Sequence, residues 1–166
     1  TQGVSSAASD VYKRQMLAVA QRRIDREGWG DRVRLIESDA AELQPEAVTR
    51  TVTELRGGGD GRADALLATY SLSVITEREE AWRRARACLR PGARACIVDM
   101  QPPHGFWRVL SPLARLACAT GGADISARPW RMLERDAVDP ASVRRVERKG
   151  GHIVAVVATV DGGSPL

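Results

Sequence analysis

The sequence predicts an α/β fold whose sheet is mostly parallel and ends in an antiparallel hairpin. Three observations predict it. Segments with helical periodicity alternate with short apolar segments, an order that favours parallel strands joined by helices. The segment ADALLATYS, residues 63–71, begins as a strand that is apolar on both faces, as buried parallel strands are. Residues 141–160 contain two strand-like runs about Gly150-Gly151, which is typical of a hairpin.

The composition is that of an ordinary globular domain. The 166 residues suit one domain, and 43% apolar with 28% charged residues excludes a disordered chain. The net charge of +4 is modest, and the arginines are interspersed with acids, as in TEREEAWRRARACLR. Such a helix face is usually solvated, so we expect no nucleic-acid partner. A basic binding patch is the alternative.

The cysteines and the lack of long apolar runs indicate a cytoplasmic protein. Cys88, Cys96 and Cys118 have no metal-ligand spacing, and we expect no metal site. No apolar run approaches the ~20 residues that span a bilayer, and the N-terminus lacks the build of a signal peptide.

The first fifteen residues stand apart from the rest. They show no clear periodicity, and the string VSSAASDVYKRQ resembles translated adapter sequence. We expect residues 1–15 to be a non-native or disordered segment, a natural flexible tail being the alternative. Residues 16–160 would form the domain, and residues 161–166 a tail.

The first half of the domain predicts two helices and a strand. A helical stripe begins at Met16 and stops at Gly28. The run RVRLIESDA alternates like a strand over residues 33–37 and ends in acids. Pro45 then begins the helix PEAVTRTVTELR, since proline suits a first helical turn.

The second half continues the alternation. After the strand that begins at residue 63, Thr76 and Glu79 form a capping-box pattern that predicts a helix over residues 77–89. ARACIVDM is the next strand, and residues 101–131 are an irregular insert with one helical stretch. Because ligands of such sheets bind beyond the carboxyl ends of the strands, the polar residues there are the candidate site. They are Asp39, Thr69, Tyr70, Ser71 and Asp99.

Residues 16–160 resemble class I methyltransferases that use S-adenosylmethionine. The resemblance is carried by MLAVAQRRIDREGWGDRVRLIESDAAEL, by ADALLATYSLSVITEREEAWRRARACLRPGARACIVDM and by the closing hairpin. TYSLSVI and ISARPW are similar to the enzymes that methylate lipid amines, among them those of betaine-lipid synthesis. The resemblance implies a partial Rossmann-like methyltransferase fold, S-adenosyl-L-methionine as cofactor, and an amine on a lipid or small molecule as methyl acceptor.

The resemblance also implies roles for individual residues. Asp39 would accept a hydrogen bond from the adenine amino group, and the Ala40 amide would meet a ring nitrogen. Thr69 and Tyr70 would line the pocket near the methionine part. Each has an alternative role: Asp39 as a helix cap or turn residue, and the hydroxyls as partners of their own backbone.

Four residues are expected near the methyl acceptor: Ser71, Asp99, His104 and Trp107. A carboxylate at Asp99 would steady an ammonium group or accept its proton, or it would only cap the next segment. His104 lies in the loop PPHGFW, whereas His152 fits packing better. We expect the insert over residues 104–131 to cover the acceptor side of the pocket, in peripheral contact with a membrane, a plain lid being equally compatible.

The pattern departs from the family at its start. No glycine cluster follows a strand and opens a helix, and Asp10 is a poor match for the ribose-holding acid. We therefore expect the first strand, the first helix and most of the second strand to be missing, and the strand at residues 33–37 to lack its neighbour. The chain would then be inactive alone. A dinucleotide-dependent oxidoreductase is a further alternative, although its glycine fingerprint is not visible.

Overall fold

The computed structural model describes residues 3–106 and 123–163. Two helices come first, helices and strands alternate over residues 45–100, and the last two strands form a hairpin. In chain order the elements are α1 (Gly3–Glu27), α2 (Pro45–Arg56), β1 (Ala63–Thr69), α3 (Arg78–Ala87), β2 (Leu89–Met100), α4 (Trp130–Arg135), a 3-10 turn (Pro140–Ser142), β3 (Arg144–Arg148) and β4 (Ile153–Val160). The described helices include none that is long and apolar enough to cross a membrane.

The four strands form one mixed sheet in the order β1-β2-β4-β3. Strand β1 runs parallel to β2, with Leu66 opposite Ala95. Strand β4 runs antiparallel to both β2 and β3 and so lies inside the sheet. The hairpin predicted about Gly150-Gly151 is confirmed, and Gly150, Gly151 and Lys149 all have positive φ in the turn.

The core lies on one face of this sheet. Alternate residues of β2 and β4 point to that face, since side chains of a strand alternate between its two sides. Trp82 of α3 and Trp130 and Leu133 of α4 pack against them. The buried apolar strand residues are Leu89, Ala93, Ala95, Ile97, Val154, Val156, Ala158 and Val160.

The opposite face is less covered at β1. Leu67 has 66% of its surface exposed, although the apolar pattern of this strand predicted burial on both faces. β1 is also an edge strand of the described sheet, with β2 on one side only.

The predicted strand at residues 33–37 is wrong for this structure. Residues 33–39 have no strand assignment, and Leu35 and Ile36 are exposed. A strand exists only through hydrogen bonds to a neighbour, and the described residues provide none for this segment. None of the described strands pairs with this segment, and β1 pairs with β2 alone among them.

The helix boundaries agree with the sequence in part. Helix α2 begins at Pro45 and ends before Gly57, whose left-handed conformation directs its amide back to the Glu54 carbonyl. Helix α1 begins at Gly3 rather than at Met16, so it includes most of the segment set aside above. Its predicted stripe is confirmed at Ile24, which is buried.

The capping box predicted for α3 is wrong. The residue before the helix is Glu77, and no side chain caps its first turn. Glu79 instead pairs with Arg135 at 3.0 Å, so a partner distant in sequence holds it.

Candidate functional site

The loop after β1 begins with an unusual backbone conformation at Tyr70. Its φ is 51°, in the left-handed region that residues other than glycine rarely adopt. The Tyr70 amide still donates to the Val98 carbonyl at 2.8 Å, so the ladder to β2 extends one residue past the strand. Such strained positions persist only where surrounding contacts hold them, and they cluster at functional sites. We name residues 70–77 the β1–α3 loop.

Asp39 lies in a turn that its own side chain stabilises. One carboxylate oxygen, Oδ1, accepts from the Ala41 amide at 2.9 Å, and the Asp39 carbonyl accepts from the Glu42 amide at 3.0 Å. Asp39 is exposed. Asp39 therefore has the turn role that was its alternative in the sequence analysis, and the hydrogen bond of this turn uses Oδ1.

A cleft of about 850 Å³ brings three parts of the chain together. They are the middle of α1, the extended segment that ends in Asp39 and Ala40, and the end of the β1–α3 loop. The lining residues are Arg14, Met16, Leu17, Ile36, Glu37, Ser38, Asp39, Ala40, Val74, Ile75, Thr76 and Glu77. Of the four predicted cofactor residues, Asp39 and Ala40 line this cleft, whereas Thr69 and Tyr70 do not.

The cleft combines aliphatic and charged groups. Ile36, Val74 and Ile75 supply apolar surface, while Arg14 pairs with Glu37 at 3.4 Å. Sequence reasoning missed the residues of α1 and residues 74–77. For the latter a signal existed, because they directly follow the polar end of a strand.

Asp99 lies elsewhere, inside the protein. Its relative exposure is 0%, and its two oxygens accept from different backbone amides: Oδ2 from Ser73 at 3.1 Å and Oδ1 from Met100 at 2.8 Å. A carboxylate without exposed surface does not contact solvent or a substrate in this conformation. Its role as a substrate residue stays a prediction that would require the loop to move. Ser71 is half-buried, and its carbonyl accepts from the Val74 amide.

The two histidines lie at the β3–β4 hairpin. His104 donates its backbone amide to the Gly150 carbonyl at 3.1 Å, and its ring nitrogen Nε2 lies 2.7 Å from Glu147. Hydrogen bonds from Arg145 and then His104 lower the pKa of Glu147. His152 is half-buried, and its Nδ1 lies 2.6 Å from the Gln101 carbonyl oxygen. Neither histidine lines the cleft.

Trp107 lies outside the described residues, as does most of the insert. Of its start, Phe106 is described and is 88% exposed. The acceptor-side role of the insert therefore stays a prediction.

Comparisons with solved structures identify the fold. The chain resembles an O-methyltransferase family protein from Burkholderia thailandensis, with a TM-score of 0.52, 17% identity, and coverage of 88% of this chain and 41% of that one. The described chain has a partial methyltransferase Rossmann-like fold. It spans about two fifths of that protein's length.

Weaker likenesses accompany this one. An rRNA methylase from Clostridium thermocellum is 15% identical with a TM-score of 0.44, over 88% of this chain and 68% of that one. A DhpI-SAM-HEP complex is 17% identical with a TM-score of 0.36, over 91% and 50%. No family model and no curated protein matches the sequence.

The residues of the cleft fit the adenosine end of S-adenosylmethionine. Oδ2 of Asp39 makes no hydrogen bond among the described contacts, so a carboxylate acceptor remains beside aliphatic side chains. A flat heteroaromatic ring with an exocyclic amine suits such a surface. In the part of the chain that the structure describes, no glycine-rich turn joins a strand to a following helix at the cleft.

Proposed function

We propose that the protein takes part in methyl transfer from S-adenosylmethionine, and that this chain binds the adenosine end of that cofactor. One observation carries the proposal: a single cleft contains Asp39 and Ala40 together with the end of the β1–α3 loop. The resemblance of the sequence had assigned the first two to adenine. The methyltransferase fold gives the cleft a matching context.

The chemistry asked of these residues is binding and orientation. Asp39 accepts from the adenine amine, a charge-assisted hydrogen bond worth about 1.5–3 kcal/mol. Ile36, Val74 and Ile75 remove water from the ring faces. When bound, S-adenosylmethionine itself supplies an electrophilic methyl group, so the protein mainly has to align donor and acceptor.

We expect this chain to bind the cofactor weakly. The described cleft offers apolar contacts and the carboxylates of Glu37, Asp39 and Glu77, and its described lining contains no glycine-rich loop for the methionine end. The ribose-holding acid and the glycine-rich loop of the family, neither of which is matched in the described cleft, together correspond to roughly 3–6 kcal/mol, or about two to four decades in affinity. Binding of S-adenosylhomocysteine by residues 1–166 would then be submillimolar at best.

An NMR titration with adenosine and S-adenosylhomocysteine tests the proposal at millimolar ligand. We expect saturable shifts of the amides of residues 36–40 and 74–77. Asp39→Asn keeps the turn oxygen for Ala41 but presents an amide to the adenine amine, so its Kd should rise about tenfold. If neither segment responds in the wild type, the proposal is wrong.

Asp60→Asn is the matched control for this titration. Oδ1 of Asp60 accepts from the Arg62 amide at 3.0 Å, the same local turn as at Asp39, but Asp60 does not line the cleft. Its Kd should equal that of the wild type. An equal loss in both variants would trace the effect to turn geometry or net charge.

We propose further that the methyl acceptor is an amine on a lipid or small molecule. The stretches TYSLSVI and ISARPW support this through their resemblance to lipid-amine methyltransferases. Sedimentation with vesicles that contain anionic lipid tests the membrane part. Trp107→Ala and Arg115→Ala, which remove an aromatic and a basic side chain of the insert over residues 104–131, are measured beside the wild type. Unchanged sedimentation in both variants, or none in the wild type, would remove the membrane contact.

A further inference from the structure

Contacts of Leu72 and Ser73 hold the β1–α3 loop in place. Leu72 packs into the core, and the carbonyl of the next residue, Ser73, accepts from the Asp124 amide at 2.9 Å. The Ser73 amide donates in the opposite direction, to Oδ2 of Asp99. The four residues that follow are the ones that form the cleft wall, Val74 to Glu77.

Asp99 is suited to hold this position because it is itself fixed. It lies in β2, in register with Val154 of β4 in the interior of the sheet, and has no exposed surface. Its second oxygen is occupied by the Met100 amide. Burial away from water strengthens such amide-to-carboxylate bonds and makes their loss costly.

We propose that Asp99 is a positioning residue of the cleft, which fixes the Ser73 amide and through it the wall at Val74–Glu77 without contacting the ligand. This inference rests on the proposed function for the identity of the ligand, but not for the positioning itself. It replaces a direct contact with the methyl acceptor, for which the side chain has no surface.

The Asp99→Asn substitution is informative because both oxygens accept from N–H groups. An asparagine of the same shape must turn its NH₂ group toward one of the two amides, so one donor loses its partner whichever way the side chain lies. Ser73→Ala distinguishes the contribution of the Ser73 backbone amide from that of its side chain. It keeps the amide and removes a buried hydroxyl that has no hydrogen-bond partner among the described residues.

Amide hydrogen exchange without ligand tests the positioning. In the wild type the Ser73 amide should exchange at least about tenfold more slowly than its peptide rate, a protection of ~1.4 kcal/mol. In Asp99→Asn the amides of Ser73 and Val74, which donate hydrogen bonds in the structure, should exchange about tenfold faster, while those of β4 stay protected. Ser73→Ala should leave the pattern unchanged, as should Asp139→Asn, a carboxylate that accepts the Ala141 amide in another loop.

Titration with adenosine then connects the loop to the cleft. Asp99→Asn should raise the Kd for adenosine and for S-adenosylhomocysteine by the same factor, about tenfold, since both share the part that the wall contacts. Equal Kd values for variant and wild type would overturn the link to the cleft. An unprotected Ser73 amide in the wild type would overturn the positioning, even if Asp99→Asn does not fold.

The two proposals fail in different ways. If the wild type binds neither ligand, the proposed function is wrong, and faster exchange confined to Ser73 and Val74 in Asp99→Asn would still support the positioning role. If loosening spreads equally to β4, or if Ser73→Ala loosens the loop as much, Asp99 is an ordinary core residue and the inference is wrong.

Discussion

Many charged side chains in this protein form arginine–carboxylate ion pairs, and Glu80 is the clearest case. It lies 2.5 Å from Arg83 and 2.6 Å from Arg84 on the same face of α3. Hydrogen bonds from Arg83 and then Arg84 lower the pKa of Glu80 from 4.5 to about 2. These pairs also occupy two of the arginines that made a nucleic-acid patch conceivable.

The lowered pKa predicts a pH dependence of stability. Because the folded pKa lies below the unfolded one, ionised Glu80 stabilises the fold fully above about pH 4.5, and this contribution is lost as the pH falls to about 2. Glu80→Gln should therefore narrow the difference in stability between pH 6 and pH 3. Urea unfolding at both pH values measures it, with the exposed Glu54→Gln as control. Equal pH dependence in Glu80→Gln and wild type would contradict the prediction.

At the scale of elements, the connection from α2 to β1 depends on Gly61. Its φ is +66°, and a Cβ there would overlap the Thr49 carbonyl oxygen and the Thr53 hydroxyl of α2. The helix and the start of the strand are therefore in backbone-level contact. That contact fixes the path of the loop between α2 and β1.

Gly61→Ala should destabilise the protein by about 2–4 kcal/mol, from the positive φ and the overlap together. Gly30→Ala is the control, since Gly30 has no positive φ and nothing within 4 Å of its added Cβ. Thermal or urea unfolding compares the two variants. A loss in Gly61→Ala no larger than that in Gly30→Ala would show that α2 can shift away.

Elements defined by local pattern were predictable, and those defined by distant partners were not. The alternation of Val154, Val156 and Ala158 specifies β4 without further information. By contrast, residues 33–37 have an equally good strand pattern and form none, because a strand needs a neighbour that its own sequence does not encode. Glu79 likewise matched a capping box, yet its partner is Arg135, 56 residues away.

The site divides in the same way. Asp39 and Ala40 were found because an acid after a strand-like run resembles a family motif. Their neighbours across the cleft, Val74 and Ile75, were missed because only the folded loop brings them there. Asp99 was identified as a candidate substrate residue, but its full burial could not be predicted, because it depends on the elements that pack around β2.

At the scale of the whole molecule, the two edges of the described sheet differ. Strand β3 has the sequence RRVER, and such charges discourage pairing with another chain. Strand β1, ADALLAT, has one charged residue and exposes Leu67. Its outer backbone groups have no strand beside them among the described residues.

We therefore expect self-association through β1. Sedimentation velocity over a range of concentrations should show reversible association, and Leu67→Lys should weaken it about tenfold or more. Because Leu67 is exposed, the substitution should change the free energy of unfolding by only about 0.5 kcal/mol. Val146→Lys places the same charge on β3 and should leave association unchanged; a monomeric wild type at every concentration contradicts the prediction.

The position of β4 has a consequence for how the protein is made. A ribosome completes β1, β2 and β3 before β4, yet β4 is the strand that joins β2 to β3. Until β4 has been synthesised, the nascent chain contains the parallel pair of β1 and β2 and a separate β3 segment. Trp82 and Trp130 then lack much of the surface against which they pack in the folded protein. The sheet therefore cannot be completed before β4 has been synthesised. A chaperone that protects apolar surface would be needed until β4 has been synthesised, and a premature stop shortly before residue 153 should yield an aggregating product.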